Sequence, residues 1–332
     1  MLLAADVGGT KTLVGLFRPG APRPAGVATR VYATTEFSNL VDIIRIFLDE
    51  HGTPDISAFA AGVAGPVTGR VARLTNVDMV VDADVVSAAI GRRPASLVND
   101  LAAMAHGVPV LGPDELHPLQ TSTEMPARGS RAIVAAGTGL GESVLHDVDG
   151  RLVPAASEGG HADFAARTPR ELELVSWLAK VHGRVEVERV LSGSGIANLF
   201  RFTHHSDLAE MPCEAIPASM PEDDLPAAVS EAALAGRCPR CVEALDMFVA
   251  AYGAEAGNLA LRSLATGGVY VGGGIAPKIL PAMTGGRFMQ AFVDKAPMDD
   301  LVRRVPVSVI LNQDVVLIGA AVFAASLAGG SR

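Results

Sequence analysis

Two segments of this 332-residue chain carry one design, and together they point to a core built twice. In the first, an apolar run, Leu2-Leu3-Ala4-Ala5-Asp6-Val7, leads into Gly8-Gly9-Thr10, and a second apolar run follows through Leu13-Val14-Gly15-Leu16-Phe17. Residues 131–145, RAIVAAGTGLGESVL, repeat the pattern around Gly137-Thr138-Gly139. In each copy the turn joins two strands. Its glycines let backbone N–H groups line a concavity that suits nucleotide phosphates, and Asp6 is suited to hold Mg²⁺ through water. Taken singly, each copy also reads as a tight hairpin, the first with a surface Asp. Neither fits G-x-x-x-x-G-K-[ST], and GTGLG lacks the following helix and distal acid of a dinucleotide fingerprint.

The spacing of apolar residues predicts strands over 2–7, 12–17 and 27–33, a helix over 39–51, and strands over 56–61 and 95–98. A Pro-, Gly-, Ser- and Thr-rich stretch, 108–130, reads as a crossing between two lobes. Beyond it come a strand over 131–136 and helices over 169–182, 193–203, 224–235 and 240–265. Residues 209–222 read as an irregular loop. A strand over 268–271, the Gly272-Gly273-Gly274 turn and a helix from about Pro277 follow, and an apolar closing helix over 314–327 is expected to return to the first lobe. The expected domains are 1–110 with about 305–332, and about 111–304, in an α/β fold.

A net charge of −9 argues against broad nucleic-acid or anionic-membrane binding. No run of about 18 uncharged apolar residues suggests a membrane span, and Asp6 interrupts the apolar start where a secretory signal would continue. The expected location is cytoplasmic. Three cysteines are too few for a disulfide framework. Cys238-Pro239-Arg240-Cys241 is a C-x-x-C without a second pair and reads as incidental. His204-His205, beside Ser206 and Asp207, reads as a polar loop.

Six ordered segments, DVGGTKT from Asp6, LVNDLAA at 97–103, AAGTGLG at 135–141, SEGGHADF at 157–164, VERVLSGSG at 187–195 and GGVYVGGGIAPK at 267–278, resemble the bacterial glucokinase family over nearly the whole chain. The resemblance implies the duplicated ribonuclease-H-like, actin-type ATPase fold, with two lobes and an interlobe cleft. It implies ATP-dependent phosphorylation of glucose with Mg²⁺, Asp100 acting as general base. Asn99, Asp100, Glu158, His161 and Glu188 would bind the sugar. Asp6, Gly8, Gly9, Thr10, Gly137, Thr138, Gly139, Gly273 and Gly274 would hold the nucleotide, and Asp6 the metal. A dimer is also implied.

On local grounds Asn99-Asp100 is a turn or cap, with Asp100 capping a helix through Met104; Glu158-Gly159-Gly160-His161 is a capped turn, and Glu188 lies on a solvated face. Lys11, Ser194 and the Val77-Asp78-Met79 stretch after Asn76 depart from the family's commoner residues. Related sugar kinases and repressors carry a cysteine-rich zinc motif shortly after Glu-Gly-Gly-His, whereas here no Cys appears before Cys213, so no zinc is expected. The competing readings are a kinase for another hexose or amino sugar, a sugar-binding regulator, for which no DNA-binding segment is evident, and a dehydrogenase supported only by glycine turns.

Overall fold

The computed structural model describes residues 1–74, 77–122, 128–206, 209–210 and 212–329 and divides into two compact units, Met1–Pro113 with Asn312–Arg332, and Asp114–Leu311. The first unit starts with β1 (Leu2–Val7), β2 (Lys11–Arg18), β3 (Ala25–Ala33), α1 (Leu40–Glu50) and β4 (Ala58–Val63). A small sheet of β5 (Val67–Thr68), β6 (Val71–Arg73) and β7 (Val80–Asp82) comes next, then α2 (Ala83–Ala89), β8 (Ala95–Asn99) and α3 (Asp100–Gly107). The second unit contains β9 (Leu116–Gln120), β10 (Arg131–Ala136), β11 (Leu140–Val148), β12 (Arg151–Ser157), α4 (Pro169–His182), α5 (Gly193–Thr203), β13 (His205–Ser206), β14 (Ala209–Glu210), α6 (Leu225–Leu234), α7 (Pro239–Ser263), β15 (Val269–Gly272), α8 (Leu280–Thr284), α9 (Arg287–Val293), α10 (Asp299–Val302) and β16 (Val307–Ile310). The chain then re-enters the first unit as α11 (Val315–Gly329).

The repeat seen in the sequence is a repeat of topology. One sheet runs β3-β2-β1-β4-β8 and the other β12-β11-β10-β15-β16, with β9 added at the edge. In both, the first strand is antiparallel to the second and parallel to the fourth. Strand β1 is buried on both faces, as a central strand between helical layers must be. Leu3, Ala5 and Val7 face a core with Ile43, Ile44 and Phe47 of α1, whereas Leu2 and Ala4 pack with Leu317, Ala320 and Ala321 of α11. Helix α1 starts where the Asn39 side chain accepts from the Asp42 N–H, and α4 opens on a capping box of Thr168 and Glu171.

Three elements differ from expectation. The crossing segment contains β9, which pairs antiparallel with β16; residues 123–127 of that segment lie outside the described residues. The helix expected from Pro277 begins at Leu280 and lasts one short turn, because residues 273–279 form consecutive turns. Strand β16 belongs to the second unit's sheet, so the return to the first unit comes at Asn312, later than about 305. Asn76, Asp207 and residue 211 lie outside the described residues.

A fully buried tyrosine braces the second sheet. The Tyr252 hydroxyl accepts from the Ala136 N–H at 3.0 Å and lies 3.2 and 3.1 Å from the Val134 and Gly272 carbonyl oxygens, joining β10 to β15 just below both glycine turns. Tyr252→Phe leaves the Ala136 N–H unpaired in the core. It should cost about 1–3 kcal/mol, read as a lower denaturation midpoint; an unchanged midpoint would show that the brace carries no stability.

Candidate functional site

In the first unit the acidic residues converge at the ends of β1, β8 and α11. Asp6 sits one pair before the turn-side end of β1, opposite Leu13 of β2 and Gly62 of β4. Burial, above all, raises its carboxyl to about 7; the Asp100 carboxylate adds to this, Lys11 opposes it, and Asp314 raises it further. Asp314, which immediately precedes α11, was not anticipated because it reaches this cluster from the far end of the chain.

The β1–β2 turn is closed by the Gly8 N–H donating to the Lys11 carbonyl at 3.0 Å. Thr34 holds it from behind, donating to the Gly8 carbonyl at 2.8 Å and meeting the Thr12 hydroxyl at 2.9 Å. Thr12 is therefore a buried brace of the turn, while Gly9 and Thr10 form its outer part.

Asn99 ends β8, and its side chain caps α3 by accepting from the Leu101 N–H at 2.9 Å. This corrects the expectation that Asp100 is the cap. Asp100 is the first helical residue, and its Oδ1 accepts from the same Leu101 N–H at 2.9 Å. A carboxylate there is favoured by the helix dipole and held in one place by the strand-to-helix turn.

In the second unit the β10–β11 turn is tied on two sides. The Gly193 N–H donates to the Gly137 carbonyl at 2.8 Å, and Glu188 Oε2 accepts from the Leu140 N–H at 2.8 Å. Glu188 is thus no solvated-face residue; it clasps the glycine turn. Thr138 lies at the tip of the turn, between Gly137 and Gly139.

The Glu-Gly-Gly-His stretch forms a 3₁₀ turn, Gly159–His161, with Glu158 exposed at its start. His161 Nδ1 lies 3.2 Å from Glu186 Oε2, and His161, Glu186 and Glu188 present their polar atoms within 4.8 Å of one another. Glu158 is outside that group. Glu186, two residues before the expected Glu188, is the member that sequence reasoning missed. Gly273 follows β15 with φ of +83°, and a Cβ there would lie 2.2 Å from the Ala136 carbonyl, so only glycine fits. Around Gly274 the space is open.

Beneath the 3₁₀ turn lies Glu142 of β11, nearly inaccessible and near Glu255 and Arg262 of α7. Burial first, then the Glu255 charge, raises its carboxyl to about 7, against the pull of Arg262. A raised acid holds a proton in the folded state that the unfolded chain gives up, so this group's contribution to stability is complete below about 4.5 and declines as pH rises through about 7. Glu142→Gln should leave the thermal midpoint unchanged at pH 4 and raise it by a few degrees at pH 8, measured by scanning calorimetry. An equal shift at both pH values would remove the ionisation as the cause.

The Cys238-Pro239-Arg240-Cys241 segment, which reads as incidental in the sequence, lies beside two further donors. Cys213, Cys238 and Cys241 meet His204, all four offering ligand atoms within 4.8 Å of one another. Among the described residues no helix is long and apolar enough to cross a membrane.

Comparison with known proteins finds a match to the Glucokinase family over residues 3–327. A glucokinase from Synechocystis sp. is 41% identical, the alignment covering 97% of each chain. The crystal structure of a glucokinase from an Antarctic psychrotroph superposes with a TM-score of 0.86 at 27% identity, covering 98% of both chains. A glucokinase from Streptomyces griseus, solved with glucose and AMPPNP, shares the fold at a TM-score of 0.62 and 20% identity, over 98% of this chain and 99% of that one.

Proposed function

The chain belongs to the glucokinase family, and we infer that it transfers the γ-phosphoryl group of ATP to the 6-hydroxyl of glucose, giving glucose 6-phosphate and ADP. The observation that carries this reading is the placement of Asp100: a carboxylate at the strand-to-helix turn after β8, electrostatically coupled to the Asp6 and Asp314 cluster. Asp100 accepts the proton of the sugar hydroxyl as that oxygen bonds to the γ-phosphorus and the bond to the β-phosphate oxygen breaks. In-line phosphoryl transfer asks little covalent chemistry of a protein. It asks for position and charge, and each of the two glycine turns, Gly8-Gly9-Thr10 and Gly137-Thr138-Gly139, carries backbone N–H groups suited to phosphate oxygens. Gly273 and Gly274 leave room for the adenosine.

The crowding of Asp6 by Asp100 and Asp314 fits a hard divalent cation, whose charge would offset both the burial and the repulsion that raise Asp6. Asp6 would hold Mg²⁺ through water, and the ion when bound neutralises charge on the β- and γ-phosphate oxygens. The residues that would pair the sugar hydroxyls are Asn99, Asp100, Glu158, His161 and Glu188. Glu188 also fixes the Leu140 N–H, so it links sugar recognition to the shape of the phosphate turn.

Glu158→Gln and His161→Ala should raise the glucose KM roughly tenfold or more with little change in the ATP KM, since a lost polyol contact leaves a hydroxyl unpaired. Equal weakening of both substrates in steady-state assays would point instead to a folding defect. The whole assignment is tested by a panel of sugars crossed with phosphoryl donors, followed as nucleoside diphosphate release. Turnover with glucose and Mg-ATP is the expected best pair; none with it, and turnover with another pair, would overturn the substrate assignment.

A further inference from the structure

We propose that His204, Cys213, Cys238 and Cys241 form a tetrahedral zinc site that pins the C-terminal end of α5 to the N-terminal end of α7. The four residues come from three places in the sequence, with separations of 28 between Cys213 and Cys241 and 34 between His204 and Cys238. None belongs to the residues assigned to phosphoryl transfer. The site also lies well downstream of the Glu158-Gly159-Gly160-His161 turn, the segment after which related sugar kinases carry their cysteine motif.

Donor spacing identifies the ligand. Zinc bonds of about 2.3 Å to sulfur and 2.0–2.1 Å to nitrogen, at tetrahedral angles, place two sulfurs about 3.8 Å apart and a sulfur and a nitrogen about 3.6 Å apart. Cys213 Sγ and Cys241 Sγ are separated by 3.8 Å, and Cys238 Sγ and His204 Nε2 by 3.5 Å. A disulfide would need about 2.05 Å. Three soft thiolates with one imidazole select zinc among the common divalent ions, and four protein ligands leave no open position, which marks a structural site.

The surroundings aim each donor. His204 Nδ1 lies 2.8 Å from the Phe200 carbonyl, which can only accept, so Nδ1 carries the proton and the Nε2 lone pair faces the sulfurs. The Phe200 ring lies against the imidazole, 4.1 Å between centroids and tilted by 37°, and restricts its plane. Cys238 is the N-cap of α7, where the nearby backbone N–H groups of Cys241 and Arg240 favour its thiolate. Helix-terminal amides of this kind stabilise a thiolate, as a knuckle of C-x-x-C requires. His204 and Cys241 are buried, while Cys213 and Cys238 are half-buried, so the metal would be largely shielded from solvent.

Binding exchanges three S–H protons for the metal: Zn²⁺ plus three thiols and a neutral imidazole give a complex of charge −1 and three released protons. Arg240, whose charge acts on His204, partly offsets that negative charge.

The test begins with the intact chain, purified under reducing conditions without chelator. Plasma mass spectrometry should find one zinc per chain. After removal with a chelator, titration with Co²⁺ should produce, at one equivalent, the visible bands of a tetrahedral ion and near-ultraviolet thiolate charge transfer. Cys213→Ser should weaken Co²⁺ binding at least about a hundredfold. His204→Cys should keep the tetrahedral bands and increase charge transfer by about a third, which shows His204 to be a ligand in a chain that still folds. Glucose turnover at 25 °C should be unchanged by loading, while thermal inactivation should be faster without metal. The proposal is overturned if reduced wild-type chain binds no Co²⁺, if the spectrum is the same in Cys213→Ser, or if intact mass shows a native disulfide in metal-free protein.

Discussion

Asp100→Asn lowers kcat at least about a hundredfold while glucose affinity changes by no more than a few-fold. General-base transfer contributes about 10² to 10⁴ in rate, and an amide cannot accept the sugar proton. The substitution is otherwise mild. Asn presents an Oδ1 that can still take the Leu101 N–H, and the cap of α3 belongs to Asn99, which is untouched. Shape and helix are preserved while the charge is lost. A second consequence separates this from a folding defect: after burial, Asp100 is the largest contributor to the raised Asp6 carboxyl, so removing its charge lowers the Asp6 pKa while burial still holds it above the ordinary value. Steady-state kinetics with calorimetric glucose titration, and the pKa of Asp6 followed by carboxyl carbon NMR in metal-free protein, read the two effects. Near-normal kcat in a folded variant would reject Asp100 as the base.

What the sequence disclosed depended on how local the physics is. The β1–β2 and β10–β11 units were legible because apolar runs and glycine turns are adjacent in the chain, and α4 because its apolar residues recur at helical spacing. Strand β9 was hidden. Its Leu116-His117-Pro118-Leu119-Gln120 carries a proline and is short, acceptable at a sheet edge, and its partner β16 lies nearly two hundred residues later. Separation along the chain also hid Asp314 beside Asp6 and, over 34 residues, His204 beside Cys238. Nothing in a lone C-x-x-C says that a third cysteine and a helix-end histidine will meet it. Glu188 was noticed, but only the fold shows that one of its oxygens serves the Leu140 N–H.

Gly319→Val should destabilise the chain by about 3 kcal/mol, at the upper end of what overpacking costs, and depress kcat with it. Helix α11 is apolar on most faces and was expected to be buried; the fold gives the reason that one of its residues has no side chain. A Cβ on Gly319 would lie 1.7 Å from the Ala103 carbonyl and 2.7 Å from the Gly107 N, both backbone atoms of α3. On the facing helix, a Cβ on Gly107 would lie 2.4 Å from the Val315 carbonyl. The two helices therefore cross backbone to backbone, and no rotamer change relieves the overlap. Any side chain at Gly319 must push α3 away from α11, and α3 begins at Asp100. Displacement of about 1 Å at a catalytic group costs on the order of a hundredfold in rate. Gly319→Ala should show the same two effects, smaller in stability. Gly329→Ala, in the same helix with no atom within 4 Å of the added carbon, should leave both stability and kcat unchanged. Chemical denaturation and steady-state assays on the three variants decide the matter: if Gly319→Val loses stability yet keeps kcat, the crossing does not position Asp100.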